Sequence, residues 1–180
     1  MEIEKIRKEQ WRAVREIYRE AFPRKEQKPF WSVRRAVRRG RSQLWTARED
    51  GAVFGFLLLT IDRDMALVEY LAVSDRIRSR GTGSQLLQMV CAKERGKRIV
   101  LLIERLDDGA DNREQRIARR RFYLKNGFVS AHVGIRSAGG SMEVLCRGGT
   151  VTGDECLSLH AYALGRLFFA LSGTKLLTLA

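Results

Sequence analysis

The chain has 180 residues, of which 44% are hydrophobic, and this length and composition are typical of a single globular domain with a sizeable core. Its apolar runs are too short to cross a membrane, and the charged N-terminus carries no signal-peptide core, so we expect a cytoplasmic protein without a membrane partner. The net charge of +13 attracts polyanions in general and does not by itself select one class of partner.

The first half of the chain predicts two helices followed by a meander of three antiparallel strands. An extended start over 2–7 precedes an amphipathic helix, which runs to Phe22 and ends at Pro23. Pro29 opens a second helix, and Gly40 closes it. The strands that follow are predicted over 43–49, 52–62 and 65–73, with a tight turn between the first two.

The second half predicts alternating helices and strands and then an added segment. Gly148-Gly149 marks a boundary, so we expect a domain over 1–147 and a helical extension over 148–180. In the extension, Asp154 is expected to cap one helix that reaches Ser172, followed by a short strand or a frayed tail. The order of elements indicates an α/β fold with a mixed sheet. The elements before the boundary are helix 81–93, strand 98–104, helix 111–126 and a hairpin of strands 128–136 and 141–147.

The loop between strand 65–73 and helix 81–93 is the most informative segment. Consecutive backbone N–H groups at a helix start, together with the helix dipole, favour a bound phosphate, and glycines let the backbone approach it. Leu86 stands where a dinucleotide fingerprint needs a third glycine, and Ser84-Gln85 does not complete a Walker loop. The expected phosphate ligands are Arg78, Ser79, Arg80, Gly81, Thr82, Gly83 and Ser84.

Two motifs in this chain resemble motifs of the GNAT acyltransferase superfamily. Arg78-x-x-Gly81-x-Gly83 resembles its acyl-CoA-binding signature, and the segment 122–128, with Phe-Tyr at its start and Gly-Phe at its end, resembles a second family motif. Both motifs occur in family order and at family spacing, and the resemblance covers roughly residues 1 to 147. The chain departs from the pattern at Arg116, where many relatives carry Asn.

The resemblance implies an acetyl-CoA-dependent N-acetyltransferase in which an acceptor amine attacks the thioester directly. It implies a mostly antiparallel mixed sheet flanked by helices, with the adjacent parallel strands 65–73 and 98–104 splayed around the pantetheine arm. The backbone of Leu71, Ala72 and Val73 would then contact the arm and the thioester carbonyl. Tyr123 corresponds to the residue that protonates the leaving thiolate in many relatives.

Glu69 and Glu104 are the candidates for the base that accepts the amine proton, because both lie on the two strands in question. Strict alternation along a strand predicts that Glu69 shares a face with Leu71 and Val73, opposite Tyr70. The alternative for each carboxylate is an ordinary paired or solvated side chain. The three cysteines show no Cys-x-x-Cys spacing, so we expect buried or half-buried thiols, no disulfide framework and no metal.

A rival hypothesis is a catalytically silent module on the same fold that binds coenzyme A or nucleic acid. Arginine clusters at 34–41 and 113–121 fall on predicted helices, where solvated helix faces are the favoured interpretation, so a nucleic-acid partner is not expected. The broad apolar stripe of the C-terminal helix indicates either a cover over the sheet or a homodimer contact. The acceptor can be a small amine, an amino acid, an antibiotic or a protein N-terminus.

Overall fold

The computed structural model describes residues 1–74, 81–137 and 140–177, without the side chains of Arg166 and Leu167. Within these residues the strands are β1 (Glu2–Lys5), β2 (Ser42–Glu49), β3 (Ala52–Asp62), β4 (Met65–Val73), β5 (Arg98–Glu104), β6 (Val129–Ser137), β7 (Gly140–Arg147) and β8 (Lys175–Leu177). The α-helices are α1 (Trp11–Ala21), α2 (Phe30–Arg38), α3 (Thr82–Lys93), α4 (Arg113–Lys125), α5 (Gly153–Leu164) and α6 (Arg166–Leu171).

The strands form a mixed, mostly antiparallel sheet in the order β1-β2-β3-β4-β5-β7-β6-β8. Strands β4 and β5 pair in parallel, with Met65 opposite Arg98 and Leu67 opposite Val100. The pairs β1–β2, β2–β3, β5–β7, β6–β7 and β6–β8 are antiparallel. The predicted α/β fold class with a mixed sheet is therefore confirmed.

The chain divides into two compact units, and strand β4 contributes to both. The first unit comprises Met1–Ile61 and Val68–Arg95, and the second comprises Asp62–Leu67 and Gly96–Ala180. In the first unit, α1 and α2 place apolar side chains at helical spacing against β2, β3 and β4. The buried members of this core are Val14, Ile17, Tyr18, Val33, Leu44, Phe56, Leu58, Tyr70 and Ala72.

The core of the second unit includes part of the C-terminal extension. Cys156 and Leu159 of α5 are buried against side chains from the starts of β4 and β5 and from β6 and β7. The extension therefore packs on the second unit rather than standing apart from it. The division into a domain over 1–147 and an extension over 148–180 stays a prediction.

Two expectations for the extension are wrong in detail. Thr152, not Asp154, caps α5, because its hydroxyl accepts from the Glu155 N–H while the Glu155 carboxylate accepts from the Thr152 N–H, a reciprocal capping box. The expected single helix is interrupted at Gly165, which adopts φ +85° and separates α5 from α6. The tail forms the short strand β8, one of the two expected forms.

The burial of the three thiols agrees with the sequence prediction, since Cys91 is half-buried and Cys146 and Cys156 are buried. Burial raises the pKa of the Cys156 thiol to about 12, so this group is a poor nucleophile near neutral pH. No helix in the described part of the chain is long and apolar enough to cross a membrane. Over the same residues, no three His, Cys, Asp or Glu side chains are grouped as metal ligands.

Candidate functional site

The predicted phosphate-binding segment is visible from Gly81 onward, and Arg78, Ser79 and Arg80 lie outside the described residues. Gly81 is the N-cap of α3 and adopts φ +76°, a left-handed conformation that side chains disfavour. Gly81 has no side chain with which to cap this helix start. Because the first N–H groups of a helix lack intrahelical partners, the start of α3 presents donors of the kind that bind phosphate.

The Thr82 hydroxyl adds a side-chain group to this helix start. Thr82 is only 3% exposed, and its Oγ1 atom has no hydrogen-bond partner among the residues described. A buried hydroxyl without a partner costs about 1–3 kcal/mol, so a bound phosphate oxygen that accepts its proton would remove a penalty. The sequence pointed to the Thr82 backbone alone, and the position of its hydroxyl becomes visible only in the structure.

The backbone at the end of β4 provides a second set of donors in the first unit. The Ser74 N–H donates to the Phe54 carbonyl of β3 at 2.7 Å. Since successive N–H groups of a strand point to opposite edges, the amides of Leu71 and Val73 point away from β3. Their expected contacts with a pantetheine arm stay a prediction.

Gly55 of β3 is a residue that the sequence analysis did not single out. A Cβ atom there would lie 3.2 Å from the Ala72 carbonyl oxygen, 3.4 Å from the Val73 side chain and 3.5 Å from Leu86 of α3. The absence of a side chain thus lets β3 approach both the end of β4 and α3. Its only sequence signal was a lone glycine within an apolar strand.

Glu69 is a buried, paired carboxylate whose side chain is 5% exposed. The Lys28 ammonium donates to one carboxylate oxygen and the Thr60 hydroxyl to the other. The Thr60 hydroxyl is in turn 2.6 Å from the Ser42 hydroxyl. A hydrogen-bonded chain therefore connects β2, β3 and β4 to the segment before α2.

These contacts show that Glu69 does not lie on the strand face predicted from the sequence, which was the face of Leu71 and Val73. Thr60 lies two residues after Leu58 on β3, so the two side chains share one face of the sheet. Leu58 and Tyr70 both belong to the core under α1 and α2. Because Thr60 donates to the Glu69 carboxylate, that carboxylate lies on the same face as Tyr70. The Val73 side chain, in contrast, lies on the opposite face of the sheet, next to the Cα atom of Gly55. Strand β4 departs from strict alternation at Glu69 and Tyr70, as at a β-bulge, and Glu69 does not share the face of Val73.

Two tyrosines hold the backbone that carries Lys28. The Lys28 N–H lies 2.7 Å from the Tyr18 hydroxyl and 3.2 Å from the Tyr70 hydroxyl, and the Tyr70 hydroxyl donates to the Glu26 carbonyl at 2.8 Å. Burial raises the pKa of Tyr70 well above its usual range. Tyr70 therefore accepts from the Lys28 N–H and donates to the Glu26 carbonyl as the neutral phenol. Lys28 was missed in the sequence because a single lysine before a proline carries no distinctive signal.

Tyr123 lies on α4 in the second unit, with its ring centroid 5.0 Å from Phe122 and 5.9 Å from Phe128. Its hydroxyl makes no hydrogen bond to any residue that the structure describes. Burial raises the pKa of Tyr123 to about 12, although the Arg119 guanidinium acts in the opposite direction. The phenol therefore remains protonated near neutral pH and is available as a donor.

Glu104 at the end of β5 is engaged by three donors from α4 and the turn before it. Arg116 lies 3.3 Å and Arg119 3.1 Å from its carboxylate, and the Asn112 amide donates at 3.2 Å. The side chain is 12% exposed. This arrangement matches the paired alternative considered for Glu104. Its role as a base stays a prediction.

The sequence-predicted residues fall into both units. The start of α3, the end of β4 and Glu69 belong to the first unit, whereas Tyr123 and Glu104 belong to the second. Within the first unit, Gly81 and Thr82 lie at the start of α3, and Leu71 and Val73 lie at the end of β4. Within the second, a protonated phenol and a paired carboxylate lie on or next to α4.

A family model described as the acetyltransferase (GNAT) domain matches residues 40–130, just over half of the chain. No curated protein sequence matches the chain.

Solved structures show the same fold at low sequence identity. A protein from Bacteroides thetaiotaomicron, described as an acetyltransferase of the GNAT family, superposes with a TM-score of 0.70 at 18% identity, covering 94% of this chain and 98% of that one. The ribosomal-protein-S18-alanine N-acetyltransferase from Escherichia coli gives 0.63 at 18% identity, covering 85% and 96%. A Salmonella typhimurium protein described as an acetyltransferase with its cofactor acetyl-CoA gives 0.65 at 17% identity, covering 84% and 96%.

Proposed function

Since the chain belongs to the GNAT acetyltransferase family, we propose that it is an N-acetyltransferase that moves the acetyl group of acetyl-CoA directly to an acceptor amine. The observation that carries the proposal is the start of α3, where Gly81 is left-handed and the buried Thr82 hydroxyl has no partner among the described residues. A phosphate group satisfies both the backbone donors and this hydroxyl. The pyrophosphate of acetyl-CoA is the group that the family membership supplies.

In this proposal the cosubstrate is held mostly by backbone. The pyrophosphate accepts from amides between Ser79 and Ser84, and the Arg78 and Arg80 guanidinium groups add charge-assisted hydrogen bonds. The Leu71 and Val73 amides bind the pantetheine arm, and one of them donates to the thioester carbonyl oxygen as charge develops there. No metal takes part in this scheme.

The transfer forms a C–N bond to the acetyl carbon and breaks the C–S bond. The amine nitrogen loses one proton, and the sulfur gains one. Tyr123 is the proposed donor to the sulfur. Because the Tyr123 phenol has a pKa of about 12 and a thiol has one of about 8.5, complete proton transfer is unfavourable, and the phenol acts mainly as a hydrogen-bond donor while charge builds on sulfur. The thiolate then acquires its proton through water.

Glu69 fits the role of base better than Glu104. Among the described residues, each Glu69 oxygen accepts one hydrogen bond, from Lys28 or Thr60, which leaves a second acceptor position for a water molecule that relays the amine proton. Glu104 receives two guanidinium groups and an amide. We therefore propose Glu69, acting through water, as the primary candidate and Glu104 as the second.

A panel assay tests the activity against the rival silent module. Release of free thiol from acetyl-CoA is measured with four acceptor classes: small amines, amino acids, aminoglycosides and peptides with a free N-terminus. The proposal expects acceptor-dependent thiol release with at least one class. Stoichiometric acetyl-CoA binding without thiol release across the panel would favour the silent module, and no binding would contradict both.

A homodimer contact through the C-terminal extension remains part of the proposal. Phe168 and Leu171 of α6 and Leu176 of β8 are large exposed apolar side chains, and Leu171 is 77% exposed. Exposed large apolar side chains are typical of a surface that another chain covers. Light scattering of the Phe168→Ser/Leu171→Ser variant tests it, since a dimer would become a monomer. The cytoplasmic location expected from the sequence stays a prediction.

A further inference from the structure

Helix α2 has one apolar face and one face that combines arginines with an exposed tryptophan. Phe30, Val33 and Val37 pack on the core of the first unit. At about 100° per residue, Trp31 projects from the opposite side, and its side chain is 62% exposed. The arginines at 34, 35, 38 and 39 lie within about 80° of Trp31 around the helix axis. We call Trp31 and these four arginines the basic α2 face.

The charge of this face is not compensated locally. Between residues 24 and 41 the sequence contains eight lysines and arginines and a single acidic residue, Glu26. In the part of the chain that the structure describes, Arg35, Arg38 and Arg39 make no ion pair with a carboxylate. Arg34 instead places its guanidinium 5.4 Å from the Trp11 ring.

The arginine cluster on α4 behaves differently, and this contrast separates the two clusters that the sequence alone left equivalent. Arg121 makes no ion pair among the described residues, but the other four arginines, Arg113, Arg116, Arg119 and Arg120, pair with carboxylates at 2.9 to 3.3 Å. Those charges are neutralised within the fold. The positive charge of the basic α2 face is instead left for an external anion.

We propose that the basic α2 face binds single-stranded RNA, with an unpaired base stacked on the Trp31 indole and the guanidinium groups on the flanking phosphates. Arg35 and Arg39 are one turn apart, about 6 Å along the helix axis, so the arginines form a row beside the indole. Aromatic rings flanked by arginines are the arrangement that binds unpaired bases and their backbone. The inference does not depend on the proposed acetyl transfer.

Two other anionic partners fit this face less well. A membrane surface would require several apolar side chains for insertion, and Trp31 is the only large apolar side chain on the face. An acidic peptide would use the arginines but would leave the exposed indole unexplained. Single-stranded RNA uses both features, because a base stacks on the indole and the phosphates bind the arginines.

The test is fluorescence anisotropy of a labelled, unstructured 12-nucleotide RNA at 50 and 200 mM salt, with saturating acetyl-CoA present to occupy the phosphate site of α3. The Trp31→Ala variant is expected to weaken binding about fivefold to a hundredfold without changing the salt dependence. The Arg35→Gln/Arg38→Gln variant should weaken binding and reduce the slope of log affinity against log salt by about 1.4. The matched control is Arg12→Gln/Arg121→Gln, which removes the same charge from exposed positions on α1 and α4 and should bind as the unmodified chain does.

Each contrary result overturns the proposal in a distinct way. Equal weakening by the control variant would show general attraction to a basic protein. Unchanged binding by Trp31→Ala would exclude stacking, and competition by a polyglutamate peptide of equal charge would assign the face to acidic peptides. Absence of RNA binding at 50 mM salt would refute the inference outright. Because Trp31, Arg35 and Arg38 are exposed, equal melting temperatures will confirm that the variants are folded.

Discussion

The Tyr123→Phe substitution separates a catalytic phenol from a packing residue. The change removes one oxygen atom and keeps the ring that contacts Phe122 and Phe128. Since the hydroxyl makes no hydrogen bond within the described chain, its loss breaks no described bond. We expect the free energy of unfolding to change by less than about 0.5 kcal/mol.

The kinetic consequence should be large. Loss of a donor to the leaving sulfur is expected to lower kcat by about ten- to a thousandfold with little change in acetyl-CoA affinity. Because Tyr123 gives up its proton only near pH 12, the unmodified enzyme should show no loss of kcat from this group between pH 8 and 10.5.

Urea denaturation, isothermal titration and steady-state kinetics measure these three quantities. Tyr18→Phe is the matched control for stability, since its hydroxyl bonds the Lys28 backbone and its loss should cost about 1 kcal/mol. A Tyr123→Phe enzyme with full kcat would refute the donor role. A variant that loses stability and activity together would show that the phenol mainly supports the fold.

Two further substitutions test the polar interactions of each unit. Among the described residues, Lys28→Met leaves the buried Glu69 carboxylate with only the Thr60 hydroxyl, so the free energy of unfolding should fall by about 2 kcal/mol. Lys28→Met/Glu69→Gln should recover part of this loss in urea denaturation. A loss below 0.5 kcal/mol would mean that the pair is not formed. Hydrogen bonds from the Arg98 guanidinium and the Thr152 N–H hold the pKa of Glu155 at about 2, below its ordinary 4.5. The stability from this depressed pKa is present above pH 4.5 and is lost as the pH falls from 4.5 toward 2, so Glu155→Gln should show a smaller drop in melting temperature over that window, and an equal drop in both proteins would contradict the assignment.

Local signals accounted for most of the fold. The β2–β3 turn was readable because Asp50-Gly51 suits two left-handed residues, and both adopt positive φ, at +50° and +80°. The prediction of Asp154 as the N-cap of α5 was wrong, because Thr152 is also a residue type that caps helices well. The Glu155 side chain decides between them through the capping box, and Gly165 ends the helix early.

The candidate site could be predicted less completely from the sequence, because its main contacts join residues that are far apart in the chain. Lys28 reaches Glu69 across 41 positions of the chain, and no local pattern indicates such a pair. The departure of β4 from alternation at Glu69 also reverses the face that a period of two assigns. The motif around Gly81 was identified correctly as a helix start, because the conformation that a glycine allows depends mainly on its own backbone and not on distant residues.

Isothermal titration of acetyl-CoA against the Gly81→Val variant tests the central claim most directly. Gly81 adopts φ +76°, which valine disfavours, and the change should deform the helix start that is proposed to hold the pyrophosphate. Gly40→Val is the matched control, since Gly40 has φ +72° and open space around it at the end of α2. We expect one acetyl-CoA per chain for the unmodified protein and for Gly40→Val, and no measurable binding for folded Gly81→Val. Unchanged acetyl-CoA affinity in folded Gly81→Val would contradict the assignment of the site.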